Sequence, residues 1–157
     1  MEAIEVVLVS PTSRGRLYPR YYEDLEILGL ESSVERADGW PIGVNIDNLL
    51  ILDADSEGTL ANVELLIGRS LWEVVEPAPK QPHVSMNADL KLYAEKPGRG
   101  RFVELPVAVK TDKDRARALI TFYQARGQLE AARLSDQVAA LLEGNILVGF
   151  YVSLSTT

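Results

Sequence analysis

The chain has 157 residues, no cysteine, a single histidine, His83, and a formal charge of −7. A chain of this length buries about two-thirds of the surface exposed when unfolded, and 46% hydrophobic with 25% charged residues is a globular rather than a disordered mix. Disulfides, thiolate metal sites and thiol nucleophiles are excluded, and a lone histidine excludes a two-histidine metal site within one chain, leaving carboxylate and backbone oxygens suited to calcium or magnesium.

The longest near-apolar stretch, residues 146–152, is far shorter than the roughly 18 residues that span a membrane. The acidic start, Met1-Glu2-Ala3-Ile4-Glu5, lacks the basic residues and apolar core of a secretory signal, so the expected location is cytoplasmic, with no membrane partner. Residues 1–76 carry a charge of −10 and the remainder +3. An acidic chain neutralises phosphates poorly, so no nucleic-acid partner is expected, while opposite charges on the two halves favour their packing together or the association of copies.

In chain order, the β-branched run 4–9 reads as a strand ended by Ser10-Pro11. Arg14-Gly15-Arg16 follows in a loop, and with Arg99-Gly100-Arg101 it is a candidate anion-binding loop, because guanidinium forks beside glycine grip phosphate or carboxylate. Tyr18, Arg20, Tyr21 and Tyr22 form the best local candidate for an interaction surface, combining large aromatic area with polar edges. Residues 21–30 read as one strand, and 48–52 and 59–67 as a hairpin around an acidic turn. Three prolines within 76–82 predict an extended connector inside a single domain covering 1–157.

Beyond it, 89–95 and 102–110 read as strands flanking the turn at 96–100. Residues 115–123 fit both helical spacing and strand alternation, and Thr111-Asp112-Lys113-Asp114 fits a hairpin or a helix cap. Residues 128–143 also carry a helical face, but Gly144-Asn145 has the chemistry of a two-residue hairpin loop leading into 146–154. The reading is therefore mainly β, an antiparallel sandwich or open barrel with at most one or two short helices. The alternative is α+β, with helices within 112–143.

One segment carries recognisable chemistry. Asp53, Asp55, Gly58 and Glu64, with Leu60, stand at the spacing of acidic, glycine, aliphatic and bidentate positions that resembles the calcium loop of the EF-hand family. Glu57 stands where that family carries Asp or Asn, and the flanks read as strands where it has helices. The resemblance implies calcium held by Asp53, Asp55, Glu57 and Glu64. The same residues also resemble a small bacterial domain in which an Asp-x-Asp-x-x-Gly turn joins two strands, and this implies a structural turn and no cofactor.

No Gly-x-Gly-x-x-Gly, P-loop, Gly-x-Ser-x-Gly or His-Glu-x-x-His motif occurs, and nothing ties His83 to a nucleophile. The expected function is a non-catalytic binding or accessory protein acting through contacts with a protein partner or a second copy. The alternatives are calcium binding through 53–64 and a small hydrolase with a carboxylate-lined cleft.

Overall fold

A computed structural model describes residues 2–33, 39–92, 95, 98 and 100–154. Its strands are β1 (Val6–Val9), β2 (Leu17–Tyr22), β3 (Ile27–Ser32), β4 (Ile42–Ile46), β5 (Leu50–Ala54), β6 (Leu60–Leu65), β7 (Glu73–Val74) and β8 (Met86–Asn87). They continue as β9 (Asp89–Leu92), β10 (Arg101–Val103), β11 (Ala108–Thr111), β12 (Arg117–Thr121), β13 (Glu130–Ser135), β14 (Val138–Glu143) and β15 (Ile146–Ser153). Two 3-10 turns, Ser13–Gly15 and Arg69–Leu71, are the helical segments among the described residues, and none of these is long enough to cross a membrane.

The strands form a six-stranded sheet in the order β10-β4-β5-β6-β3-β2, a seven-stranded sheet in the order β7-β11-β12-β15-β14-β13-β8, and the pair β1-β9. Neither large sheet closes into a barrel. Strict alternation in β4 and β5 turns Ile42, Val44, Ile46, Leu50, Leu52 and Ala54 inward. These meet Ile120, Leu134, Phe150 and Val152 of the other sheet in one apolar cluster, the arrangement of a β-sandwich. Trp72 stacks edge-on against Tyr21 at 6.0 Å, and Arg69 joins the sheets here, its backbone N–H donating to the Tyr21 hydroxyl and its guanidinium to the Arg115 carbonyl.

The seven-stranded sheet also buries the β13–β15 part of its outer face, while Ala108 and Lys110 of β11 and Arg117 of β12 stay exposed. Ala131, Leu141 and Val148 form a second apolar cluster there, and Tyr151 and Ala139 lie cross-strand and buried beside it. The cover is the proline-rich segment. β7 and β8 lie at opposite edges of this sheet, about 29 Å apart across six strand spacings. The twelve steps from Val74 to Met86 reach about 37 Å when extended. The segment therefore straps the face, with Pro79 buried, Val84 packed on the second cluster, and Ser85 donating through both backbone N–H and hydroxyl to the Ala131 carbonyl.

Several expectations need correcting. Residues 21–30 are not one strand: the Leu25 N–H donates to the Tyr22 carbonyl and Glu26 adopts φ 54°, making a turn without glycine or proline between β2 and β3. Among the described residues, 89–92 and 102–110 do not pair with each other, and 93–94, 96–97 and 99 of the expected strand end and turn lie outside the described residues. β9 pairs with β1, β10 runs parallel to β4, and 104–107 interrupts the second run before β11.

The α+β alternative is overturned, since 117–121, 130–135 and 138–143 are strands. Asp112 Oδ1 accepts the N–H groups of Ala116 and Arg117, four and five residues on, whereas a helix cap takes those two or three residues on. Residues 128–143 mimic a helical face because a sheet covered on both sides has no polar face to alternate with. The turn at Gly144, φ 61°, does join β14 to β15 as a hairpin.

Between Leu141 and Leu142 the β14–β15 register shifts, and there Gly149 comes so close to β12 that a Cβ would lie 1.9 Å from the Ile120 carbonyl oxygen. Backbone cannot yield as a side-chain tip can. Gly149→Ala is expected to cost about 1–3 kcal/mol and lower Tm by roughly 5 °C in a thermal melt, and an unchanged Tm would refute this close approach.

Candidate functional site

The two outer faces differ. On the six-stranded sheet the residues between core positions point away from the sandwich, and the register sets them in two rows. Tyr18, Glu31, Asn62, Asp53 and Gly43 form one, and Arg20, Gly29, Glu64, Ile51, Asn45 and Phe102 the other. In these rows only Gly29 is buried. Tyr18 keeps 41% and Phe102 50% of its surface exposed, at opposite ends of the rows. Beside Phe102 and Gly43 lies a hollow of about 390 Å³ that also touches Asn45, Ile51 and Gly100.

Polar contacts order this face. The Tyr22 hydroxyl donates to Glu31 Oε2 at 2.5 Å, and the Arg20 guanidinium stacks 4.9 Å from the Tyr22 ring centre. That hydrogen bond, then burial and the Glu31 charge, raise the Tyr22 pKa above its ordinary value against the opposing pull of Arg20. Asn62 Nδ2 donates to Asp53 Oδ2 at 3.0 Å and more weakly to Glu64 Oε1 at 3.4 Å. Burial raises the Asp53 pKa, with the Glu64 charge adding to it and the Asn62 bond opposing. Among the described residues no cation pairs with Glu31, Asp53 or Glu64.

Of the four residues proposed as an interaction surface, Tyr18, Arg20 and Tyr22 share this face on edge strand β2, while Tyr21 turns inward onto Trp72. The four carboxylates of 53–64 separate. Asp53 and Glu64 sit in neighbouring rows of the face, whereas Asp55 lies in the β5–β6 turn, its Oδ1 accepting the N–H groups of Glu57 at 2.9 Å and Thr59 at 3.0 Å. Glu57 is exposed. Gly58, φ 91°, completes the turn. Among the described residues no three acidic or histidine side chains gather to hold a metal.

The arginine loops divide as well. Arg14 is exposed in the first 3-10 turn, and Arg16 ends that turn half-buried. Arg101 is engaged within the chain, with Glu95 at 2.7 Å and the Ala3 carbonyl at 3.2 Å. Arg99 lies outside the described residues.

Residues that sequence reading missed are Glu31, Asn62 and Phe102. Their polar or isolated character reads as ordinary surface until the register aligns them, and period-2 alternation between core positions is the signal that marks them. The chain matches no family model, and no curated protein matches it.

Because the Asp53 pKa is raised in the folded state, the native chain binds this proton more tightly than the unfolded chain. Stability from this residue therefore declines as pH rises through the native pKa. Asp53→Asn is expected to raise Tm by about 2 °C at pH 7. The gain should vanish below the unfolded carboxyl pKa, near 3.9. Melts of both proteins across pH 2.5–7 test this, and a gain that persists in acid would refute the electrostatic origin.

Proposed function

We propose that this chain is a non-catalytic binding protein that acts through the outer face of its six-stranded sheet, on a partner protein presenting a lysine or arginine among apolar side chains. The supporting observation is the asymmetry between the faces. The chain covers the apolar β13–β15 patch on the outer face of one sheet with its own proline-rich strap, yet leaves Tyr18, Arg20, Tyr22, Ile51 and Phe102 of the other half-exposed or exposed.

Aromatic anchors of this kind contribute most of the free energy at protein interfaces. Glu31, Asp53 and Glu64 lie between them without a cation of their own among the described residues, and an incoming cation relieves their mutual repulsion while stacking on tyrosine or phenylalanine. Gly43, half-buried and without a side chain, leaves room on the face for an incoming side chain to approach the backbone, whereas the Glu31 side chain already covers Gly29.

Selection of displayed random peptides on the folded protein tests this reading. Enriched peptides are expected to combine Lys or Arg with apolar residues, and Phe102→Ser or Glu64→Gln to weaken them about tenfold, the effect of losing one anchor. Peptides without basic residues, or binding indifferent to both substitutions, would overturn it. Sedimentation velocity separates the occupants: concentration-dependent association abolished by Phe102→Ser would make the partner a second copy, contrary to the proposal.

A further inference from the structure

The open face of the six-stranded sheet extends by a third row, at the end where β2 turns into β3. Tyr22 pairs with Ile27, Leu28 with Leu65, and Leu65 with Leu50. One step further along the strands Ile27 therefore stands opposite Leu66, whose N–H donates to the Leu49 carbonyl at 2.8 Å. Alternation turns these residues outward, since their neighbours Tyr21, Leu28, Leu65 and Leu50 point inward. Tyr22, Ile27, Leu66 and Leu49 thus form an apolar row across four adjacent strands, about 14 Å long at three strand spacings.

None of the four belongs to either apolar cluster. Leu66 keeps 39% of its surface exposed, and the other three are half-buried. Isolated exposed leucines are ordinary, whereas a contiguous apolar row rimmed by polar residues marks a contact surface. Carboxylates supply the rim on both sides. Glu64 precedes Leu66 by two residues along β6, about 7 Å away, and exposed Glu26 and Asp47 lie in the turns beyond the row. Among the described residues no cation pairs with these three. Arg20, the cation nearest the row, is stacked on the Tyr22 ring at one end.

Spacing decides which shape of partner fits. Side chains on one face of a helix recur every turn, about 5.4 Å, within about 0.6 Å of the strand spacing, so successive turns meet successive strands. An extended segment repeats on one face about every 6.8 Å and is out of step by about 4 Å after two strands.

We propose that this row receives an amphipathic helix of the partner protein, laid across the strands with apolar side chains on Ile27, Leu66 and Leu49 and with lysine or arginine flanking them against Glu64, Glu26 and Asp47. The inference rests on the reading of this face as a recognition surface and adds the partner's conformation and register. A helix is about 10 Å across, so both of its flanks reach carboxylates. Arg20 favours the helix C-terminus at the β2 end, where the backbone carries partial negative charge.

Two synthetic peptides of one composition, each about 15 residues of leucine, lysine and alanine, test this, one with leucines at helical spacing and one with leucines at alternate positions. In calorimetric titrations the helical pattern is expected to bind saturably, and the alternating pattern at least about tenfold more weakly. A central proline in the helical peptide should weaken it by a similar factor. Leu66→Ser and Glu64→Gln should each weaken it about tenfold, while Leu129→Ser, at an exposed leucine ahead of β13 in the other sheet, should leave it unchanged. Leu66 is exposed, so its variant reports contact rather than folding. Equal binding of the two patterns, or binding indifferent to Leu66→Ser, would overturn the helix. The face itself would survive that result if Phe102→Ser still weakened basic apolar peptides. Equal loss in Leu129→Ser would reveal unspecific adhesion and overturn the proposal. Failure of both peptides to bind at millimolar concentration would do the same, and the displayed-peptide selection then decides separately whether the face recognises basic partners at all.

Discussion

The fold depends on a single apolar layer to which two independent sheets each turn a face. Leu28, Leu52 and Val63 on one side and Ile120, Leu134 and Phe150 on the other form that layer, and burial of this kind is the main favourable contribution to folding. Which residues remain available for recognition follows from it, because a strand that commits alternate positions to the core sends the others the opposite way. Tyr21 and Tyr22 illustrate the rule: neighbours in sequence, one is fixed against Trp72 and the other stands on the open face beside Arg20.

The two sheets treat their second faces differently. In the seven-stranded sheet Leu141, Val148 and Tyr151 are apolar or largely so and need cover, which prolines provide with little loss of entropy because their φ is already fixed. In the six-stranded sheet the corresponding positions hold Glu31, Asn62, Asp53 and Glu64, which are stable in water. The fold therefore leaves the aromatic residues at the ends of that face, Tyr18 and Phe102, exposed, and the proposed recognition rests on them.

Much of the architecture was legible in the sequence because alternation is legible. β5 and β6 with their Asp55–Gly58 turn, and the β14–β15 hairpin at Gly144, follow from period and turn chemistry. What was illegible had physical causes. The β2–β3 turn uses Glu26 in a left-handed conformation that sequence rarely signals, and the parallel pairing of β10 with β4 joins residues more than fifty positions apart. The candidate face was partly legible: Tyr18, Arg20 and Tyr22 stand out in local composition, but Phe102 joins the face only once β10 pairs with β4.

The proline-rich strap has a further consequence at its two ends. β7 and β8 each pair over only two residues and form opposite borders of the seven-stranded sheet. A sheet border is a template on which foreign strands add, and very short border strands are among the devices that suppress such growth. One stretch of chain thus leaves the sheet with no long unpaired ladder at either border. Protection against edge-to-edge aggregation then depends on how firmly those twelve residue steps hold across the sheet, and chain that slipped from its anchorage would uncover β11 and β13 together.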